Sequence, residues 1–303
     1  MEWKETVRAI LDAPGTVMML GPVDVGKTMA STDLANAAVR GGLAAAVVDA
    51  DTGQSDLGPP TTVGVGLLDG PVRRMSDIPL LKSVFVGDTS PQYVYGFLVD
   101  GSARLVALAR DRGIQVIVVD TTGWVEGAAA VAAKVREITR IQPRHLIAIQ
   151  HDEEVEPILA KIPSTMVAHR IAPSPYARHR TSEERRAFRE NEFARYFRGS
   201  RRFSLDLRRV PGDRPVRYAG ARIPQERMLA EISSDALHHL LVGLADQEGY
   251  LVALGTVTDV VPAAHSVEVQ APLESLAQVR LLQWGMLRVA PTGREEGRLA
   301  GAA

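Results

Sequence analysis

Eight residues near the start of the chain have the types and spacing of a phosphate-binding loop. They read Gly21-Pro-Val-Asp-Val-Gly-Lys-Thr28 and follow the apolar run Thr16–Leu20. A strand that ends in such a loop points backbone N–H groups inward at a polyphosphate. The following stretch, 29–39, continues with helical spacing, so a helix N-terminus adds its partial positive charge. The sequence therefore predicts a nucleoside triphosphate site.

Within this loop, two side chains have distinct predicted roles. Lys27 reaches the β- and γ-phosphates as a point charge, and the Thr28 hydroxyl is placed to bind Mg²⁺. ATP or GTP, with Mg²⁺, are the expected cofactors. The predicted nucleotide contacts are Gly21, Pro22, Val23, Asp24, Val25, Gly26, Lys27, Thr28 and Met29.

Carboxylates follow two further apolar runs. Asp49 and Asp51 come after the run 44–48 and, being two residues apart, point to the same side of a strand. Asp120 ends the run 116–119 and can hold Mg²⁺ directly or through water. Phosphoryl transfer to a hydroxyl needs a phosphate cradle, a metal, a proton acceptor and cations over the moving group. The loop and these aspartates could supply the first three.

An arginine-rich segment could supply the cations. Between Arg178 and Arg202 there are nine arginines and four glutamates, a local balance of +5. The guanidinium fork binds phosphate with a geometry that lysine lacks. Only five of the 35 basic residues in the chain are lysine, however, so the preference for arginine is general. The charge pattern alone also fits a solvated helix with salt-bridged faces.

The order of apolar runs predicts the fold class. Uniformly apolar β-rich runs are buried on both faces, which indicates a parallel sheet covered by helices. The sequence therefore predicts an α/β fold, the mostly parallel, doubly wound sheet of a P-loop NTPase. The predicted strands are 16–20, 44–48, 83–86, 116–119, 145–149 and 165–171, and the predicted helices are 28–40, 92–112 and 126–141.

Beyond residue 171 the pattern changes, and it predicts the domain boundaries. One arginine-rich helical lid is expected over 176–198, before Gly199. Short β-like segments follow at 201–207, 216–218, 249–257 and 266–269. The predicted organisation is a P-loop domain over 1–199 that includes the lid, a small β-rich domain over 200–290, and a disordered tail over 291–303.

The composition excludes several classes of protein. The 303 residues are 46% hydrophobic and 23% charged, which is ordinary for a globular chain with a sizeable core. No cysteine occurs, so disulfides and thiolate metal sites are excluded. No signal peptide and no apolar run long enough to span a bilayer are evident. A cytoplasmic location is therefore expected.

The motifs, taken in order, resemble a known family. The phosphate loop, Asp49-Ala-Asp-Thr-Gly-Gln-Ser-Asp-Leu-Gly-Pro-Pro60 and Asp120-Thr-Thr-Gly-Trp-Val-Glu-Gly127 resemble the polynucleotide 5′-hydroxyl kinases. That family is typified by the kinase subunit of the eukaryotic pre-mRNA cleavage factor and its rRNA-processing and archaeal relatives. Gly87-Asp-Thr-Ser-Pro91 is similar to its substrate loop, and Arg180–Gly199 to its lid helix. The resemblance covers nearly the whole chain.

The resemblance implies transfer of the γ-phosphate to the 5′-hydroxyl end of RNA or DNA. Lys27 and Asp51 would be catalytic, with Asp51 deprotonating the hydroxyl. The remaining implied roles are lid arginines at Arg185 and Arg189, metal ligands at Thr28, Asp49 and Asp120, and acceptor contacts at Gln54, Ser90, Pro91, Thr121, Thr122, Gly123 and Trp124. The indole of Trp124 would offer a stacking face for any base.

Two other functions fit part of the pattern. The first is another P-loop NTPase of related fold, either a different phosphotransferase or a GTPase. A GTPase would usually carry Asn-Lys-x-Asp after a late strand, and Ile147-Ala-Ile-Gln-His-Asp-Glu-Glu154 lacks it. A nucleotide-bound scaffold in an RNA-processing complex would need the fold but not the reactive groups. The presence of Lys27, Asp51 and both lid arginines favours an enzyme.

We expect a loose choice of phosphate donor. Eukaryotic members of that family carry an N-terminal β domain that helps hold the base, whereas fifteen residues precede the first predicted strand here. Trp3 could replace part of that contact, although an ordinary core contact is the expectation for it. ATP and GTP should then support transfer within about tenfold of each other, or about 1.4 kcal/mol. Competition of both triphosphates in one reaction tests this, and a hundredfold preference would contradict it.

Overall fold

The chain folds into two compact units. The computed structural model describes residues 2–212 and 214–299. The first unit takes the residues up to 58, together with 63–83 and 90–181, and the second takes 59–62, 84–89 and the chain from 182 onward. In the part of the chain described, no helix is long and apolar enough to cross a membrane.

The helices are α1 (Trp3–Asp12), α2 (Lys27–Arg40), α3 (Pro91–Asp111), α4 (Ala128–Ile141), α5 (Glu156–Leu159), α6 (Ser182–Tyr196), α7 (Gln225–Glu231) and α8 (Ser234–Leu237). The strands are β1 (Thr16–Leu20), β2 (Ala45–Ala50), β3 (Thr62–Leu68), β4 (Leu80–Phe85), β5 (Val116–Thr121), β6 (His145–Ile149), β7 (Val167–Ile171), β8 (Arg201–Asp206), β9 (Val216–Tyr218), β10 (Ala221–Ile223), β11 (Leu240–Ala245), β12 (Leu251–Val261), β13 (Ser266–Ala271), β14 (Leu281–Val289) and β15 (Glu295–Arg298).

A seven-stranded sheet has the order β4-β3-β2-β5-β1-β6-β7. The pairs from β2 across to β7 are parallel, and β3 is antiparallel to β2, which confirms the predicted mostly parallel sheet. Every residue of β1, β2 and β5 is buried, as their apolar sequences predict. In the register, Asp120 lies beside both Asp49 and Met19. The carboxyl ends of three strands therefore meet at one edge.

Strand β3 was not predicted from the sequence. It reads Thr62-Val-Gly-Val-Gly-Leu-Leu68, and glycine inside a strand lowers its apparent β preference. A Cβ atom at Gly64 would lie 2.0 Å from the Leu57 carbonyl oxygen. The glycine is thus required by the close passage of the 51–58 segment over this strand.

The second unit contains a six-stranded antiparallel sheet, in the order β15-β14-β11-β12-β13-β8. Its core includes Val242, Leu244, Val269 and Trp284, all less than 5% exposed. A β-rich second half was predicted, but β11, β14 and β15 were not among the predicted strands. The predicted disordered tail is wrong for Glu295–Arg298, which form β15. Residues 300–303 of that tail lie outside the described part of the chain.

By its contacts the predicted lid helix α6 groups with the second unit, whose C-terminal segment begins at Ser182, so the division between the two units falls before this helix rather than at the predicted residue 199. The helix also begins at Ser182, not at 176. Phe193 is fully buried and packs with Leu254 and Leu287 of the β-sheet. The backbone N–H of Leu254 donates to the Tyr196 hydroxyl at 2.8 Å. Hydrophobic burial therefore fixes the C-terminal half of α6 to this sheet.

At the other end of the chain, the opening residues form α1. Trp3 packs against the core of the first unit, and its Nε1 donates to Asp33 Oδ2 at 2.6 Å. The prediction of an ordinary core contact for Trp3 is confirmed.

Replacing Phe193 with alanine should lower the free energy of unfolding by about 3–5 kcal/mol, because the neighbouring side chains cannot fill the cavity. Phe188, on the same helix, is only half-buried. Phe188→Ala should therefore cost no more than about half as much. Chemical denaturation of both variants is the measurement. Equal small losses would mean that α6 does not rest on this core.

Candidate active site

Lys27 lies inside the phosphate loop. It is 6% exposed, and its Nζ donates to the Pro22 carbonyl at 2.6 Å. Burial lowers the pKa of Lys27, while the nearby carboxylates of Asp120 and Asp51 oppose that shift. The amine is thus enclosed by the loop and faces the acidic ends of β2 and β5.

Thr28 and Asp120 form the bond that joins the loop to β5. The Thr28 hydroxyl donates to Asp120 Oδ2 at 2.6 Å. Burial raises the pKa of Asp120 to about 7, although Lys27 and the Thr28 hydrogen bond lower it. Among the described residues, the buried Oδ1 of Asp120 has no hydrogen-bond partner. A hydroxyl and an under-satisfied carboxylate are hard oxygen ligands, so these two residues fit Mg²⁺.

Asp49 shapes the segment that follows it. Its Oδ1 accepts from the backbone N–H of Asp51 at 3.0 Å. Its Oδ2 accepts from the Ser55 hydroxyl and from the backbone N–H groups of Asp56 and Leu57, at 2.7–3.1 Å. Burial raises the pKa of Asp49 well above its usual range. The Asp49 carboxylate thus holds the 51–57 turn in place, and its role as a metal ligand stays a prediction.

Arg180, which was not among the predicted site residues, links Gln54 to the phosphate loop. The Arg180 backbone N–H donates to Asp24 Oδ2 at 2.9 Å, and its Nη1 donates to Gln54 Oε1 at 2.8 Å. Asp51 Oδ1 accepts from the backbone of Gly53 and Gln54. Arg180 begins the arginine motif of the lid, and that position was the available signal for it.

The Thr121–Trp124 segment touches the phosphate loop from the β5 side. Thr121 donates from its hydroxyl to the Met19 carbonyl at 2.7 Å, which ties β5 to β1. Thr122 is 4% exposed and Trp124 is half-buried. A Cβ atom at Gly123 would lie 2.5 Å from Val23 Cγ1 and 2.6 Å from Val23 N. Only glycine therefore lets this segment approach the loop so closely.

Two further features concern the predicted acceptor residues Ser90 and Pro91 and the surroundings of Thr28. Ser90 is the N-cap of α3 and Pro91 its first residue, and their contact with an acceptor stays a prediction. Beside Thr28 there is also a cavity of about 400 Å³ that the sequence did not reveal. It is lined by Thr28, Met29, Thr32, Asp33, Asn36, Asp56, Arg73, Arg74 and Met75.

The two predicted lid arginines lie on α6, in the second unit. Arg189 is paired with Glu295, at 2.5 Å from Nε to Oε1 and 3.0 Å from Nη2 to Oε2, and its side chain is 16% exposed. Arg185 lies one turn earlier and is half-buried. Their contact with the triphosphate stays a prediction, and the structure adds a specific partner for Arg189.

The sheet, the phosphate loop and the buried aspartates define a P-loop nucleoside triphosphatase fold. The family described as "mRNA cleavage and polyadenylation factor CLP1 P-loop" matches residues 21–199. The chain belongs to this family, and the phosphate loop makes it a nucleotide-binding protein.

Relatives and solved structures agree with this membership. The chain is 27% identical to the polyribonucleotide 5′-hydroxyl-kinase of Pyrococcus abyssi, over 95% of this chain and 92% of that protein. It is 26% identical to the enzyme of the same name in Methanocaldococcus jannaschii, over 97% and 93%. Its fold is similar to a chain of the wild-type Clp1p–Pcf11p complex, with a TM-score of 0.67 and 13% identity, over 94% of this chain and 77% of that one.

Gly123→Ala should weaken triphosphate binding by about tenfold or more, because the new methyl group would displace Val23 and distort the phosphate loop. Gly96 is the matched control, since a Cβ there would meet nothing within 4 Å and it lies inside α3. Gly96→Ala should leave binding unchanged. Calorimetric titration with a non-hydrolysable ATP analogue measures both. Unchanged affinity in the first variant would show that the loop tolerates the shift.

Proposed function

We propose that this protein is a polynucleotide 5′-hydroxyl kinase, which transfers the γ-phosphate of ATP or GTP to the 5′-hydroxyl end of RNA, with DNA ends as a second acceptor. The observation that carries the proposal is the link through Arg180. That residue connects Asp24 in the phosphate loop to Gln54 in the predicted acceptor segment. The names of the archaeal relatives, polyribonucleotide 5′-hydroxyl-kinases, support the same activity and RNA as the acceptor.

The transfer step uses few protein groups. The 5′-oxygen of the acceptor forms a bond to the γ-phosphorus while the bond from that phosphorus to the β,γ-bridging oxygen breaks. Asp51 accepts the proton of the hydroxyl, and the nucleoside diphosphate leaves with its charge near Lys27. Mg²⁺, held by Thr28 and Asp120, would neutralise charge on the β- and γ-phosphates.

Three arginines are candidates for stabilising charge on the moving phosphoryl group. Arg180 lies at the phosphate loop in the first unit, and its guanidinium is held at Gln54. Arg185 and Arg189 are the lid candidates on α6. An arginine over a transferring phosphoryl group can contribute about 10³–10⁵ in rate.

On the acceptor side, the half-buried indole of Trp124 offers a stacking surface that accepts any base, worth about 1–3 kcal/mol per base. Such an interaction suits an enzyme that recognises an end rather than a sequence. Trp124 directly follows Gly123, whose backbone approaches Val23 of the phosphate loop.

The proposal is tested by end labelling of 5′-hydroxyl RNA and DNA oligonucleotides with γ-labelled ATP. The wild-type protein should label RNA ends, and Lys27→Ala should abolish labelling because nothing else in the loop replaces its charge. Lys161, which is exposed on the surface, is the control, and Lys161→Ala should keep full activity. Nucleotide binding without transfer to either acceptor would instead favour the scaffold alternative.

Asp51→Asn should lower kcat by about 10²–10⁴-fold and leave the affinity for ATP nearly unchanged, since the amide keeps the shape but cannot take the proton. Steady-state kinetics together with nucleotide titration measure the two effects. Asp111→Asn, at the exposed end of α3, is the control. If affinity collapses while turnover of bound substrate is kept, Asp51 is a binding residue and not the base.

A further inference from the structure

We propose that strand β15 holds the substrate loop and the lid helix in the arrangement needed for phosphorylation of the acceptor, with Arg298 and Glu295 as positioning residues. The inference rests on the proposed function, because loop Gly87–Pro91 and Arg189 take part in the reaction only if the protein is a 5′-hydroxyl kinase. β15 is four residues long, and both of its ends are bonded to these segments.

At one end, Arg298 binds the substrate loop. Its Nε donates to Asp88 Oδ2 at 2.8 Å, and its Nη2 donates to Asp88 Oδ1 at 2.9 Å. Asp88 is completely buried, whereas the Arg298 side chain is 32% exposed. A buried carboxylate held by a guanidinium fork is fixed in both position and orientation. Asp88 stands two residues before Ser90, so its position also limits where the rest of the loop can lie.

The residue before Asp88 is held by the neighbouring strand. The Gly87 carbonyl accepts from the backbone N–H of Met286, in β14, at 2.8 Å. Gly87 has a φ of 98°, and a Cβ atom on it would lie 3.0 Å from the Cα of Gly285. The start of the loop therefore rests directly on β14, and Arg298 closes it from β15.

At the other end of β15, Glu295 is bonded to the lid helix by both its backbone and its side chain. Its carboxylate takes the two hydrogen bonds from Arg189. Its backbone N–H donates to Glu190 Oε1 at 3.0 Å, and its carbonyl accepts from Arg186 Nη2 at 2.7 Å. One short strand thus connects the helix that carries the lid arginines to the segment that precedes Ser90.

Arg298 and Glu295 are not among the residues that we propose to bind the nucleotide. Loss of the Arg298 fork should consequently change how the acceptor is bound and leave ATP binding as it was. A purely structural role would lower stability without separating the two substrates.

The test compares Arg298→Gln and Arg298→Lys in the full-length protein. Arg208 provides a matched control, because it makes the same two-bond pair with Asp206, at 2.8 and 3.0 Å, on the surface of the same unit. Both Arg298 variants should raise KM for a 5′-hydroxyl oligonucleotide by about tenfold, with KM for ATP within about twofold of wild type. Amide hydrogen exchange in Val84–Thr89 should become faster. Arg208→Gln should change none of these values.

A double-mutant cycle shows whether Arg298 acts through Asp88. Asp88→Asn alone should raise the acceptor KM as Arg298→Gln does, and the double variant should be no worse than the worse single one. Additive effects would mean that the two residues act separately, and would overturn the inference. Glu295→Gln should lower kcat and speed exchange in α6, because Arg189 loses its charged partner.

The outcomes separate the inference from the proposed function. A wild-type protein that labels no 5′-hydroxyl end overturns both. An active wild type, with unchanged acceptor KM and unchanged exchange in the Arg298 variants, overturns only the inference. Should Arg298→Gln fail to fold, Arg298→Lys decides, since it keeps a positive charge beside buried Asp88 and removes only the fork.

Discussion

The turn that carries the predicted acceptor residues Asp51 and Gln54 depends on one buried carboxylate, that of Asp49. Its side chain is the common acceptor for the turn that ends at Leu57, and three of its four donors are backbone N–H groups. Each of these buried donors would cost about 1–3 kcal/mol if left without an acceptor. In the sheet register Asp49 stands next to Asp120. The turn that contains Asp51 therefore starts at the same edge of the sheet as Asp120, which we propose as a ligand of Mg²⁺.

The sequence predicts the parts of the site whose geometry is local. The phosphate loop lies between a wholly buried strand and a helix, and the spacing of its residues was enough to identify it. The positions of the acidic residues at the ends of β2 and β5 could be predicted because an apolar run precedes each of them. Such runs are typical of strands in a buried parallel sheet. The fold class and the family resemblance were predicted correctly for the same reason.

Other features depend on partners far along the chain, which no local pattern reveals. Arg189 was predicted to face the triphosphate, but its carboxylate partner Glu295 is 106 residues away. Residues 295–298 read as Glu-Glu-Gly-Arg, a composition typical of a solvated tail. They form a strand because their charges and backbone groups find partners on α6, on β14 and in the 84–89 segment. The pattern of charges in the sequence does not distinguish a solvated tail from a paired strand.

The second unit borrows residues 59–62 and 84–89 from the first third of the chain. The ion pair between Asp88 and Arg298 spans 210 residues. At about 5–20 residues per second, a ribosome would need roughly 10–40 s to make the second partner after the first. During that time residues 84–89 have been synthesised but the strands that they pack against have not. The second unit can therefore be completed only after its C-terminal strands have been made. A fragment starting at residue 182 would lack Gly87 and Asp88 altogether, and with them part of its own sheet packing.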